Sequence, residues 1–312
     1  MRPVSSLFLF GAGASFGSGP CSPAPPPLGS QLFSALAAQG GVASRVPEDL
    51  ARLFADFEAG MDRFWAEHNT QTSGLLREMA KYFVQFEPLP GNYYMQLLEI
   101  LGGTRKKAIL ATTNYDLLIE HAVTRAGLMI SYSGLPAAPS NIPVLKLHGS
   151  ANFLPELNGG GFSGISFDMS GSESGSILET GVRIATSTQE VEEFCDRQDS
   201  IAPALAMYSP SKRVLYCPAF VAAQQEAWLS ATRTASRLFV IGVRVHPTDE
   251  HIWGALAASR APLYYVGREP EDFCQWAATC GRDNAFVLAG SFSEALPAIA
   301  SKIGVRRPRS GA

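Results

Sequence analysis

The sequence predicts an α/β protein built on a doubly wound parallel sheet, with a helical insertion between its first two strands. Three observations predict it. Short apolar runs recur along the chain without alternating with polar residues, as strands covered by helices on both faces do. Amphipathic stretches separate them, and strand–helix alternation of this kind gives a parallel sheet with right-handed crossovers. Most of the runs end at Gly, Asn or Pro, which puts turns at the carboxyl edge where such sheets bind ligands. The architecture is therefore Rossmann-like.

The predicted strands are 7–10, 108–111, 144–147, 213–216, 238–241, 263–266 and 285–288. Helical patterns cover about 115–126, 222–236, 249–258, 271–279 and 293–303. One domain is expected over 1–312. Within it, 47–105 reads as a helical insertion or small subdomain. Pro47-Glu48-Asp49 supplies a first-turn proline and acids suited to a helix start, and Leu50, Leu53, Phe54, Phe57, Met61 and Phe64-Trp65 follow at helical spacing. Residues 158–176 read as a Gly/Ser-rich flexible loop and 305–312 as a basic tail.

Composition narrows the partners. Of the 312 residues 46% are hydrophobic and 17% charged, a globular balance. Twenty-five Lys and Arg against 28 Asp and Glu give a formal charge of -3, which offers no electrostatic basis for nucleic-acid or anionic-membrane binding. The 5 cysteines are scattered and form no C-x-x-C pair, so neither a sulfur-rich metal site nor a disulfide framework is expected, and a reducing cytoplasm fits. Arg2, the run Leu7-Phe8-Leu9-Phe10 and the small residues Ala12-Gly13-Ala14 imitate a secretory signal. Ser5 and Ser6 interrupt it, and a buried strand with a glycine turn describes the stretch better. The uncharged segment 127–145 holds Pro136, Pro139 and Pro143 and is no membrane span.

Four motifs sit at predicted carboxyl ends. Phe10-Gly11-Ala12-Gly13-Ala14-Ser15 follows the first strand, where glycines allow backbone amides to approach a pyrophosphate. The standard dinucleotide fingerprint fails, since its third glycine would fall at Phe16 and its acid at Gln31. Ala111-Thr112-Thr113-Asn114-Tyr115-Asp116 opens a helix, and a simple N-cap explains any one of its polar residues. Leu145-Lys146-Leu147-His148-Gly149-Ser150 delivers a histidine able to accept a proton from a sugar hydroxyl. Ile241-Gly242-Val243-Arg244 places another glycine after a strand, beside an arginine suited to a phosphate. His246 and His251, split by Pro247, are not read as a metal pair, and no metal is expected.

In this order the four motifs resemble the sirtuin superfamily, and more closely its prokaryotic branch that hydrolyses NAD in antiviral defence. The likeness runs from Leu7 to the last helix and leaves out mainly the helical insertion and the Gly/Ser tract. It implies NAD as substrate, with Gly11, Ala12, Gly13 and Ser15 lining the phosphate and ribose pocket. It implies Asn114 beside the nicotinamide ribose positioning water, Asp116 recognising the carboxamide, and His148 on the ribose hydroxyls as general base. Gly242 would lie near the adenosine half, with Thr113, Gly149 and Arg244 completing the cofactor set. Departures are plain. Protein-deacylating sirtuins carry Gln where Thr113 stands, a four-cysteine zinc module where the Gly/Ser tract stands, and a Thr-Ser pair where Val243-Arg244 stands.

The leading expectation is an NAD glycohydrolase, controlled by oligomerisation or by a separate sensor protein because unchecked NAD loss harms its host. The alternatives are an NAD-dependent deacylase or ADP-ribosyl transferase, and a non-catalytic NAD or ADP-ribose binding module.

Overall fold

The computed structural model describes residues 5–156, 164–168, 175–197, 201–207, 214–246 and 249–304. Its centre is a seven-stranded sheet. In chain order the strands are β1 (Ser6–Phe10), β2 (Ala108–Thr112), β3 (Ile130–Ser131), β4 (Ile142–Lys146), β5 (Leu238–Ile241), β6 (Leu263–Val266) and β7 (Ala285–Ala289). They lie in the order β7-β6-β5-β1-β2-β4-β3, with every pairing parallel. Chain order reverses at β1, which pairs with β2 on one side and with β5 on the other. That reversal opens a crevice beyond the carboxyl ends, as doubly wound sheets require.

Twelve helices among the described residues cover the sheet. They are α1 (Ala12–Phe16), α2 (Gly29–Ala38), α3 (Glu48–Leu53), α4 (Phe57–His68), α5 (Thr72–Phe83), α6 (Tyr93–Leu101) and α7 (Leu118–Arg125), followed by α8 (Thr188–Asp196), α9 (Pro218–Thr234), α10 (Glu250–Ala258), α11 (Glu271–Thr279) and α12 (Phe292–Ile303). The pleat of β1 sorts the core into two layers. Phe8 and Phe10 join Leu75, Leu98, Leu118 and Phe292 on one face, while Leu7 and Leu9 join Trp228, Trp253, Leu256 and Phe273 on the other. None of the described helices is long and apolar enough to cross a membrane.

The segment 47–105 shares the first of these cores, because Phe54, Met61, Phe64 and Met79 are buried in the same cluster as Phe8 and Phe10. Helix α3 starts at Glu48 with Glu48 and Asp49 in its first turn, as expected, and Asp56 caps α4 by accepting from the amides of Glu58 and Ala59. The segment is not purely helical: Glu87–Pro88 pairs antiparallel with Cys21–Ser22 and ties it to the N-terminal region.

Three expectations need correction. The run at 213–216 is no sheet strand: Val214 and Tyr216 make single bridges to Ala206 and Leu178. Cys217 then turns through a left-handed φ of 52° and Pro218 opens α9 at once. The outer strand is β3, too short to show as an apolar run. The tract 158–176 is not simply a loop, since Gly164–Asp168 and Gly175–Glu179 pair antiparallel. Its remainder, 158–163 and 169–174, and the tail 305–312 lie outside the described residues.

One contact fixes the centre. The turn after β1 packs backbone to backbone on the turn after β5: the Gly13 amide donates to the Gly242 carbonyl at 3.0 Å, and the Gly11 amide to the Ile241 carbonyl at 3.0 Å. Gly242 has φ +64°, and a Cβ there would stand 2.1 Å from the Ala14 nitrogen. Gly242→Ala should therefore destabilise by about 3 kcal/mol or more, from left-handed strain plus a clash with backbone that has nowhere to move. Urea denaturation beside Gly103→Ala, where a Cβ meets nothing within 4 Å, checks this; equal losses would refute it.

Candidate active site

The carboxyl ends of β1, β2, β4 and β5 bring the four motifs to one edge. From β1 come Gly11, Ala12 and Gly13, with Ser15 buried in α1. The amides of Gly11 and Gly13 are already spent on β5, so these glycines supply closeness of backbone rather than free donors for a phosphate. From β2 come Thr113 and Asn114, both buried. The Thr113 amide donates to the Phe10 carbonyl, and the Thr112 hydroxyl accepts from the Asn114 amide at 3.0 Å. Asn114 Nδ2 donates to the Gly11 carbonyl at 2.9 Å and to Ser15 Oγ at 2.8 Å. A carbonyl can only accept, so the amide orientation is fixed. Its Nδ2 is thus committed to the β1 turn.

The helix predicted from Tyr115 begins at Leu118 instead. The delay has a cause: Tyr115 sends its hydroxyl to the Ala206 carbonyl, and Asp116 Oδ1 accepts from the Leu118 amide at 3.1 Å. Asp116 thus caps α7 from inside the protein. Burial pushes its carboxyl pKa up, opposed by the Lys146 charge, the Leu118 amide and the Ser15 hydroxyl.

Register carries β4 to the same place. Thr112 pairs with Lys146, so Asn114 and His148 each lie two residues past a matched position. The Leu147 amide donates to the Thr112 carbonyl at 2.9 Å and the Ala206 amide to the His148 carbonyl at 2.8 Å, while Gln225 Nε2 holds the Leu147 carbonyl at 2.8 Å. Gly149 has φ +78°, and a Cβ there would come 1.9 Å from the Ala204 carbonyl oxygen. His148 is 3% exposed. Its Nε2 lies 3.1 Å from His251 Nε2 and 3.8 Å from Asp249 Oδ1.

Arg244 departs from the rest of the expected set. It is exposed, with Nε 4.0 Å from Asp272 Oδ2. His246 likewise turns elsewhere, with Nδ1 3.9 Å from Glu58 Oε2.

Two groups escaped the sequence. The first is His251 with Asp249, which meets His148 across 103 positions. The second lies beneath the edge. Lys146 is fully buried, and its Nζ donates to the Asp116 carbonyl at 2.6 Å and lies 3.4 Å from Glu120 Oε1. The Tyr132 hydroxyl donates to the same Glu120 oxygen at 3.1 Å. A lysine inside an otherwise apolar strand was the available signal, because a buried charge needs a partner.

No protein-family model and no curated protein matches the chain. Solved structures do. A His-to-Asn mutant of a Sir2 homologue in complex with ADP-ribose aligns with TM-score 0.54 and 14% identity over 98% of this chain and 96% of that one. A Ser-to-Ala mutant of a Sir2 homologue, also an ADP-ribose complex, aligns with TM-score 0.50, again at 14% identity over 98% and 96%. The chain has the sirtuin fold. At this identity the likeness concerns the path of the chain, and the polar edge just described is what this sequence itself places on that fold.

Two predictions follow from the buried charges. Lys146→Met leaves Glu120 buried without its cation and should cost about 3–5 kcal/mol, whereas Lys146→Met with Glu120→Leu should recover most of it. Urea denaturation of both decides; equal losses would remove the pair from the account. The second concerns pH. Folding raises the Asp116 pKa, so its contribution to stability is fully present below the unfolded value and is lost as pH rises through the folded one. Asp116→Asn never ionises, so its stability relative to the unsubstituted protein should improve between about pH 4 and pH 7. A difference that stays constant across that range would contradict the raised pKa.

Proposed function

We propose that this protein is an NAD glycohydrolase, converting NAD and water to nicotinamide, ADP-ribose and a proton. The observation that carries the proposal is the fixed orientation of Asn114, whose Nδ2 is tied to Gly11 and Ser15 so that Oδ1 points away from the β1 turn. Departure of nicotinamide leaves an oxocarbenium-like ribose, and rate follows from groups that hold water in line and stabilise positive charge. Asn114 orients the water, and Asp116 receives the carboxamide at its buried position. His148 accepts the proton, through an imidazole held by the β4 turn and coupled to His251. The backbone of the Gly11–Gly13 turn and the Ser15 hydroxyl border the ribose and phosphates, with Thr113, Gly149 and Gly242 shaping the floor.

The proposal extends, on resemblance, to a defence effector that depletes NAD on infection. An enzyme of this kind must be silent until triggered, so control falls to self-association or to a separate sensor protein. The helical insertion, which carries α3 to α5, is the candidate interface for it.

The test is nicotinamide release from NAD by the purified full chain, with and without an acyl-lysine peptide. Release is expected without peptide and should fall about 100-fold or more in both Asn114→Ala and His148→Ala. Release only with peptide would assign a deacylase. Unchanged release in His148→Ala would remove it as the base, and failure to bind NAD by calorimetry would overturn the proposal.

A further inference from the structure

We infer that His148, Asp249 and His251 form a binding site for a divalent transition-metal ion of the zinc class. These residues come from two separate elements. His148 lies just past β4, fixed through its carbonyl by the Ala206 amide. Asp249 and His251 flank the start of α10, where the Asp249 carbonyl accepts from the Ile252 and Trp253 amides at 2.9 Å and sets the first turn. One imidazole nitrogen from each histidine and one carboxylate oxygen lie within 4.8 Å of one another.

The distances are those of a cluster that can close on an ion. Zinc–nitrogen bonds of about 2.0–2.1 Å put two adjacent nitrogens of one ion about 2.9 Å apart in octahedral and about 3.35 Å apart in tetrahedral geometry. The two Nε2 atoms stand 3.1 Å apart, inside that range. A direct imidazole–imidazole hydrogen bond would explain this spacing as well. Asp249 Oδ1, at 3.8 Å from His148 Nε2, is too far for a hydrogen bond to it and about 0.4 Å beyond the tetrahedral span, a gap that a small rotation of the carboxylate closes around an ion. The ligand types choose the metal: two imidazoles with one carboxylate suit zinc and its first-row neighbours, whereas calcium and magnesium take oxygen sets. Burial is graded, with His148 and Asp249 buried and His251 half-exposed, so an ion has a way in from the His251 side. Three protein ligands leave a position open to water or an anion.

The ion would bind the imidazole that the proposed hydrolysis uses. A lone pair given to a metal cannot accept a proton, so zinc should inhibit nicotinamide release; this second consequence rests on the glycohydrolase proposal, and the metal site does not.

The test begins with full-length protein stripped by a chelator, titrated with zinc chloride by calorimetry and with cobalt(II) by visible absorption. One ion per chain is expected, with cobalt absorption in the visible range. His251→Ala and Asp249→Asn should each weaken binding about 100-fold or more. Circular dichroism establishes that the variants are folded. Cys274→Ser with Cys280→Ser, which removes the exposed thiols, should leave the site intact. Absence of stoichiometric binding, binding unchanged in His251→Ala, or binding that disappears with the thiols would each overturn the site. In the activity arm, inhibition by one equivalent of zinc that is lost in Asp249→Asn supports the inhibitory role, and turnover indifferent to zinc overturns it. A chain that binds zinc but never releases nicotinamide would retain the metal site while refuting the hydrolase.

Discussion

The structure turns on a contact between two stretches of bare backbone. Gly11 and Gly13 meet Gly242 with no side chain between them, and a Cβ at Gly11 would lie 2.5 Å from the Gly242 carbonyl oxygen. This closeness sets where β1 ends relative to β5, hence where the crevice of the doubly wound sheet opens. It also spends the amides that a phosphate-binding turn would otherwise present. What the turn still offers is the Gly11 carbonyl, and Asn114 takes it. The glycines therefore act on the site at one remove: they place an acceptor, and that acceptor orients an amide.

Polar groups beneath the edge are organised to avoid leaving charge unpaired. Lys146 reaches the Asp116 carbonyl and Glu120 Oε1, and Tyr132 donates to that same oxygen. Pairs of this kind add little net stability, because desolvation offsets most of the attraction, yet breaking one is expensive. Asp116 is held differently. Its raised pKa shows that burial outweighs the nearby cation, so its carboxyl keeps a proton to higher pH than an exposed aspartate does.

Much of this was legible from residues alone, for reasons that also explain the misses. Strands β1, β2, β5 and β6 are apolar runs bounded by turns, and burial on both faces leaves that trace wherever a strand is central or nearly so; β7 shows the same run at the sheet edge, with Phe286 and Val287 exposed. Strand β3 left none, because two residues carry no pattern and their pairing depends on β4 beside them. Val214 to Tyr216 has strand composition, but its bridges run to Ala206 and Leu178 and not to the sheet. Asn114, Asp116 and His148 could be singled out because carboxyl ends of parallel strands collect chemistry. His251 was compared with His246, its neighbour in sequence, while its partner in space was His148. Local spacing carries no information about a contact made across the crevice.

Lys146 also bears on how the edge is assembled. Along β4 and the turn beyond it, Leu145 and Leu147 belong to the apolar layer with Trp228 and Trp253, while Lys146 turns to the opposite face and Glu120. A slip of one residue against β2 would reverse all three, driving an unpaired ammonium into the tryptophan layer and leaving Glu120 without a cation. Each of those errors costs several kcal/mol, on the order of a large part of a domain's net stability. Apolar side chains alone discriminate less sharply, since leucine and valine fit either layer. The buried lysine thus excludes the register that would carry His148 away from Asn114 and from His251. A residue that touches neither water nor ligand is what holds the two sides of the site at matched positions.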